Sequence, residues 1–448
     1  MTGFPIHMGL PASHTADLPK QADVVVLGGG VIGVMTAYYL AERGAKVVLC
    51  EKGRVAGEQS SRNWGWIRQQ GRDFAELPIM MESLRLWQGL SAELGPDLGF
   101  RQDGVLYLAR SDAEMARFHA WMEGARGMGL ETGLCDRAQL RAMMPDHRAP
   151  WIGGLFTPSD GRAEPWTAVP MLARAAVHKG AVIVEGCAVR GLERAGGRVA
   201  GVITEKGRIA CAQVVVAGGA WSSLFLRREG VDLPQLSVLA SVAATAPLPQ
   251  IFAGNAADDR FAFRRRADGG YSLAPGAVHD FFVGPDAFRH LRVYLPTLLK
   301  DLTSTRFHPL SPRDYPDGWR TDRRWSPDQI SPFERHRILN PSPNRDALRK
   351  VALTFAAAFP TIGVPPIVAS WAGMIDTLPD VVPVVDRIAA IPGLVVATGM
   401  CGHGFGIGPG IGRVVADLVL DRPIGHDLTR FRHARFSDGS KLVPGPTL

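Results

Sequence analysis

The chain reads as an α/β protein of two units, one on a parallel sheet covered by helices, the other an α+β unit on an antiparallel sheet. Three observations predict this. Val24 to Gly30, Val214 to Gly219 and Leu394 to Gly399 are short β-branched runs that each meet glycines and then a helix-like stretch. Such continuous apolar runs are how strands buried on both faces look in sequence, so one sheet assembled from distant segments is expected. Between them, Phe261-Ala262-Phe263-Arg264 and Tyr271-Ser272-Leu273-Ala274 flank Asp268-Gly269-Gly270, which is hairpin chemistry. The 448 residues also exceed one simple core.

Residues 1 to 21 contain Pro5, His7, Pro11, His14, Asp17 and Lys20 with no continuous apolar run, and are expected to form a loose leader and not a signal peptide. The first strand, Val24 to Leu27, runs directly into Gly28-Gly29-Gly30-Val31-Ile32-Gly33, which fits Gly-X-Gly-X-X-Gly and opens a helix through Leu40. The first glycine permits a tight turn, the second lets a pyrophosphate approach the backbone, and the third lets the helix pack closely on the strand. A second strand, Lys46 to Leu49, leads to Glu51, 23 residues beyond Gly28, where a ribose hydroxyl acceptor is expected. A carboxylate there repels a 2′-phosphate, so FAD or NAD fits better than NADP, on a Rossmann-like domain. Farther along, Pro309 to Pro343 reads as an irregular connection broken by Pro312, Pro316, Pro327, Pro332 and Pro341, and Arg345 to Ala357 as a helix.

A 46% hydrophobic and 21% charged composition is that of an ordinary globular protein. The formal charge of +7 would suit anionic substrates, acidic membranes or nucleic acid. Between Arg313 and Arg349, however, Asp314, Asp317, Asp322, Asp328 and Glu334 interleave with the arginines, and no nucleic-acid motif accompanies the charge, so no nucleic-acid partner is expected. Cysteines 50, 135, 187, 211 and 401 are odd in number and scattered, against a disulfide framework or a zinc site. No run reaches about 18 uncharged apolar residues, so no integral membrane segment is expected, and a cytoplasmic location follows as the default.

Which dinucleotide is bound is decided by the rest of the chain. Asp23 to Glu51, Asp160-Gly161 with Pro165 and its helix, Gln213 to Ser222, Trp371 to Asp386 and Gly399 to Asp417 together resemble, in order, the D-amino-acid oxidase superfamily of FAD-dependent enzymes, which includes sarcosine oxidases, glycine oxidases and D-amino-acid dehydrogenases. The resemblance implies a Rossmann-like FAD-binding domain from residues 20–100, 150–230 and 366–435, and an α+β substrate domain from 101–149 and 231–365. It also implies oxidation of a C–N bond in a small amine or amino acid by hydride transfer to flavin N5, giving an imine that hydrolyses. The electron acceptor is O2 or another compound. A flavin-dependent 2-hydroxy acid oxidoreductase and a noncatalytic flavoprotein subunit are the alternatives.

Carried onto this sequence, the family's FAD contacts fall on Gly28, Gly30, Val31, Ile32, Gly33, Glu51 and Lys52, on Ser60, Ser61, Arg62, Trp64, Gly65 and Trp66 along the flavin, and on Val189 in the segment beginning at Gly186 beside the adenine. The second signature resembles Ala217-Gly218-Gly219-Ala220-Trp221, and Gly373 follows later. The run from Gly399 to Pro409 resembles the closing loop, with Gly402, His403, Gly404, Phe405, Gly406 and Ile407 near the ring and a helix from about Ile411 to Leu420 pointing its N-terminus at the pyrimidine oxygens. Arg68 and Arg72 match the pair of arginines that sarcosine-oxidase-type members place near the flavin and on the substrate carboxylate. His403 could tune flavin charge or contact substrate, Tyr271 could line the pocket, and Arg264-Arg265-Arg266 is the next place for an anchor. Relatives that bind flavin covalently use a His or Cys at positions that here read Arg62-Asn63-Trp64 and Trp371-Ala372-Gly373, so the FAD is expected to be noncovalent.

Two departures refine the expected substrate. Glycine and D-amino-acid oxidases carry an arginine soon after Trp-Ala-Gly, where this chain has Met374-Ile375-Asp376; that favours a secondary amine, N-alkyl amino acid or polyamine-like substrate, with Asp376 capping a turn ahead of Pro379. Sarcosine-type oxidases place a lysine over the flavin from the second-domain hairpin; Gly270-Tyr271-Ser272-Leu273 has none, which leaves a dehydrogenase open.

Overall fold

The computed structural model describes residues 4–276, 278–300 and 305–445. The three glycine-ended runs become neighbouring strands of one six-stranded sheet, ordered 384–387, 394–398, 213–216, 24–27, 47–51, 182–185, parallel except for the antiparallel strand Val384–Arg387 at one edge. Burial on both faces accounts for their apolar texture. Val24 and Val26 enter one hydrophobic cluster and Val25 and Leu27 the cluster on the other face, and the same alternation runs through Val47 to Cys50. Each fully buried valine contributes about 1.5–3 kcal/mol, so two-sided burial is what fixes this sheet.

One face is covered by the fingerprint helix Val31–Glu42, by Pro165–His178, and by the closing helix Gly404–Val419. The closing helix starts seven residues earlier than the sequence suggested, and its glycines are the reason the expectation failed. They permit close packing and do not form a loop. A Cβ on Gly412 would lie 2.5 Å from that of Met35, one on Gly408 2.6 Å from Val31 Cγ2, and one on Gly410 2.7 Å from the Ile79 carbonyl oxygen. Pro409 interrupts the backbone ladder here. The Ser83 hydroxyl fills the break, donating to the Gly406 carbonyl (2.8 Å) and accepting from the Gly410 amide (3.1 Å), and Trp87 Nε1 also donates to Gly406 (2.9 Å).

The second sheet has ten strands, among them the expected hairpin, in which Phe261–Arg265 pairs antiparallel with Tyr271–Pro275. Two strands that the expected division places with the nucleotide domain, Gly153–Thr157 and Ile367–Thr377, hydrogen-bond within this larger sheet. A three-stranded antiparallel meander, 189–195, 198–204 and 207–210, stands apart. The expected helix spans Arg345–Ala358, capped by the Asn344 side chain. The proline-rich span before it is irregular apart from Pro332–Arg335 and is tied down by the Arg190–Glu334 and Arg337–Glu205 ion pairs.

The leader is not loose. Glu185 accepts the amides of Ser13 (2.7 Å) and Val55 (2.7 Å), Thr15 bridges Val184, and Phe4 packs against Trp166 and Trp371. Its polar composition concealed this because most of the attachment is made by backbone groups, with Phe4 as a lone apolar contact. Among the described residues no helix is long and apolar enough to cross a membrane.

Candidate active site

The carboxyl ends of the central strands open onto a long cavity, the place where open α/β sheets bind ligands. Gly28, at φ +107°, makes the turn, and a Cβ there would sit 2.5 Å from the Ala217 carbonyl oxygen. Gly33 lies against the turn itself, where an added Cβ would stand 2.0 Å from the Gly28 oxygen. The fingerprint helix begins at Val31, with no cap from the Gly30 position; the Val31 amide donates to Ser60 Oγ (2.8 Å), and the helix start lines the cavity with the positive end of its dipole. At one end of the cavity Glu51 accepts the amides of Gly29 and Gly53, both at 2.6 Å, and burial pushes its carboxyl up to about 7. At the other end lie Gly402, Gly404 and Phe405, at the N-terminus of the closing helix. A glycine cradle between a buried carboxylate and a second helix N-terminus fits an adenine dinucleotide such as FAD.

A second cavity adjoins the first, and Gln59, Asn63, Gly402 and Phe405 line both. Arg68 and Arg72 enter it beside Trp64, Trp66, Tyr107 and Phe118. Arg72 is 2% exposed; its Nε donates to the Arg68 carbonyl (3.2 Å), and its Nη1 has no partner. Burial, reinforced by the Arg68 charge, lowers its pKa to about 9. Arg68 lies 5.4 Å from the Tyr107 ring centroid and donates to the Gln70 carbonyl. The turn carrying both arginines is held by buried Asp160, which accepts from the amides of Gln69 (2.7 Å) and Gln70 (3.1 Å) and whose pKa burial raises to about 6. Behind Arg72, Glu76 Oε2 meets His403 Nδ1 at 3.1 Å.

The first cavity therefore gathers, of the residues named from sequence, Gly28, Gly30, Val31, Ile32, Glu51, Lys52, Ser60, Val189, Ala217, Gly218, Gly219, Trp221, Gly402, Gly404 and Phe405. The second takes Arg62, Trp64, Trp66, Arg68, Arg72 and His403. Lys52 is committed to protein partners, donating to Glu58 (2.6 Å) and the His336 carbonyl (2.7 Å) above the Trp221 ring. Arg62 is held by Asn340 (2.7 Å) and the Ala372 carbonyl (3.0 Å), with its Nη2 left without a partner.

Gly33, Ser61, Gly65, Gly373, Gly406 and Ile407 line neither cavity. Several of them meet protein neighbours: Gly65 admits the Ala163 carbonyl, Gly373 admits Gln59, Ile407 is core, and Ser61 donates to the Ala56 carbonyl. Tyr271 is corrected in the same way. It is fully buried against Phe263 and Phe355, and its hydroxyl accepts the Ile251 amide (3.0 Å), because on this strand it points into the core. Of this strand, only its end, Pro275 with Gly276, reaches the second cavity. The alternative anchors are also occupied: Arg264 by Glu164 (2.8 Å), Arg265 by the Leu248 carbonyl (3.2 Å) and Arg266 by Asp268. Asp376 caps no turn before Pro379; it is buried and accepts the Gly399 amide (2.8 Å), fixing the strand end that precedes the closing helix.

Sequence reasoning missed Glu76, Tyr107, Phe118 and Phe333 as site residues. Phe333 reaches the first cavity from the proline-rich span, where no periodic signal could have marked it.

The FAD dependent oxidoreductase family (DAO) matches residues 23–418. The chain is similar to sarcosine oxidase subunit beta of Rhizobium meliloti (strain 1021), 32% identical over 231 residues, which cover 50% of this chain and 56% of that protein. It is similar also to mitochondrial sarcosine dehydrogenase of Mus musculus, 30% identical over 51% of this chain and 26% of that one. These matches span about half the length of the first and a quarter of the second. Among solved structures, L-amino acid deaminase from Proteus myxofaciens in complex with anthranilate superposes with a TM-score of 0.91 at 32% identity, over 96% of this chain and 97% of that chain. L-amino acid deaminase from Proteus vulgaris gives 0.89 at 31%, over 95% and 100%.

Proposed function

The chain belongs to the family of FAD dependent oxidoreductases, of the amino-acid and sarcosine oxidase type, and we propose that it oxidises the C–N bond of a small amino acid bound as its carboxylate. The observation that carries this reading is the arginine pair in an aromatic-walled cavity that shares a seam with the dinucleotide cavity. Arg72, with an unpartnered buried guanidinium nitrogen, is the carboxylate anchor, and Arg68 sits beside it. A planar guanidinium suits a carboxylate, and the low local polarity strengthens the contact. Trp64, Trp66 and Tyr107 hold the substrate's apolar part and exclude water. The seam residues bring its α-carbon to the flavin side. When bound, FAD supplies the hydride acceptor at N5, the imine product hydrolyses, and O2 or another acceptor takes the electrons.

In this reading the FAD is noncovalent, since residues 62–64 and 371–373 offer no His or Cys. The preference for an N-alkylated nitrogen rested on the arginine missing after Trp371-Ala372-Gly373. A pair of arginines elsewhere in the cavity removes that reason, and the full-length likeness to L-amino acid deaminases supports primary amino acids equally.

The test is anaerobic mixing of the purified protein with L- and D-amino acids, their N-methyl forms, the corresponding decarboxylated amines and 2-hydroxy acids, following loss of the flavin absorption band. Amino acids should bleach the flavin and decarboxylated amines should not. Bleaching by hydroxy acids alone, or by amines as well as by amino acids, would overturn the assignment.

A further inference from the structure

An amino acid reaches neutral solution as an ammonium ion, yet hydride can leave its α-carbon only when the nitrogen has a lone pair to donate. Arg68 and Arg72 cannot accept that proton. Behind them stands a buried pair with no task so far. Glu76 immediately precedes the helix Leu77–Leu94 and is wholly buried, with Oε2 at 3.1 Å from His403 Nδ1 and Oε1 without a partner. His403 lines the substrate cavity between Gly402 and Gly404, next to the seam with the dinucleotide cavity. A carboxylate accepting from Nδ1–H fixes the imidazole tautomer, so the lone pair sits on Nε2.

We propose that His403, positioned by Glu76, takes the proton from the substrate ammonium at Nε2. The substrate N–H bond breaks, the Nε2–H bond forms, and the electron pair stays on the substrate nitrogen, which then drives hydride from the α-carbon. The proton passes to water when the product leaves. The assignment rests on the amino-acid reading above.

The charged surroundings keep this imidazole neutral while the site is empty. Burial first, and then Arg72 and more distant Arg68, hold the imidazole down to about 4, while Glu76 opposes them. The neighbouring Cys401 thiol is pushed up by burial and carries no charge. The ring is therefore neutral, and a weak base, before substrate arrives. The substrate carboxylate then neutralises the two arginines, which raises the imidazole's proton affinity at the moment an ammonium lies beside it.

The test is anaerobic stopped-flow reduction of the flavin at saturating amino acid across pH, for wild type, His403→Asn and Glu76→Gln. Below the substrate's own ammonium pKa, His403→Asn should slow reduction about a hundredfold. The deficit should close as pH rises above that pKa, where the amine is already neutral. Glu76→Gln should give a smaller loss and move the acid limb of the profile to lower pH, because the carboxylate that supports the imidazolium is gone. Benzoate binding, read from the flavin spectrum, should persist in both variants and report an intact cavity; His403→Gln repeats the measurement should the Asn variant lose flavin. A deficit constant at every pH, or none, overturns the proton-acceptor role while leaving the amino-acid reading standing. Absence of reduction in the wild type would instead remove both.

Discussion

The two cavities differ in what they are made of. The dinucleotide cavity takes much of its wall from two runs joined by one helix and strand, near residues 27–32 and 50–60, and is shaped mainly by glycine turns, strand ends and helix starts. The substrate cavity is assembled from residues on segments near 59–72, 107–118, 240–241, 257–259, 275–276, 278–279, 375 and 401–405, brought together by two sheets. Backbone-built sites are encoded locally and fail as a unit with the fold. Side-chain-built sites depend on tertiary assembly, and single residues in them change affinity or rate without disturbing the fold. Substitutions that separate these two modes of failure sharpen the contrast.

The largest effect is expected behind the backbone-built cavity, at Gly33, which packs the fingerprint helix against the glycine turn. A methyl group placed 2.0 Å from the Gly28 oxygen cannot be accommodated by a side-chain movement, so Gly33→Ala must lift the fingerprint helix from its strand. The expected loss is about 3 kcal/mol, roughly a hundredfold in the ratio of folded to unfolded protein. Urea denaturation together with flavin content checks it, and both should fall together. Gly89→Ala supplies the contrast. It lies inside the helix Leu77–Leu94 with nothing within 4 Å of its added Cβ, so stability should rise by about 0.5–1 kcal/mol with FAD content unchanged. Normal flavin content in Gly33→Ala would mean that the close packing is not what shapes the phosphate turn.

In the side-chain-built cavity, Arg72→Lys keeps the charge and loses the planar fork. A charge-assisted hydrogen bond is worth about 1.5–3 kcal/mol, so the apparent substrate constant should rise tenfold or more while FAD content and unfolding midpoint stay near wild type. Steady-state kinetics beside flavin quantitation decides it. Equal loss of flavin and substrate binding would show that the two cavities are not separable at this residue.

The same difference explains what was legible in the sequence. The parallel strands, the glycine turn, Glu51, Ala217 to Trp221 and the antiparallel hairpin could be read because each is a local pattern with a local cause. The closing helix was misplaced because glycine has two physical uses, loop flexibility and close approach, and only the packed neighbours Met35, Val31 and Ile79 distinguish them. Tyr271 was misassigned because strand alternation shows which residues share a face without showing whether that face meets a cavity or Phe355. Arg68 and Arg72 were singled out by their place in the chain, whereas the tasks of Asp160, which holds that turn, and of Glu76, which meets His403, can be read from no motif.

The smallest effect expected is a pH dependence confined to the backbone-built cavity. Burial pushes the Glu51 carboxyl up to about 7, so near neutral pH a substantial fraction carries a proton before the nucleotide binds. A ribose hydroxyl donating to this group favours the ionised form, so binding must be linked to release of that proton. Because the carboxyl has a raised pKa and the ligand prefers its charged form, FAD affinity should increase as pH rises from about 6 to 8 and level off above, a gain of severalfold. Glu51→Gln removes the titration. It also leaves only one side-chain acceptor for the Gly29 and Gly53 amides, so its affinity should be lower at every pH and flat across the range. Titration of apoprotein with FAD, followed by quenching of flavin fluorescence, measures both. An affinity that falls between pH 6 and 8 in the wild type would mean that Glu51 binds as a protonated donor. A slope retained in Glu51→Gln would assign the titration to another group and break the link between this carboxylate and the ribose.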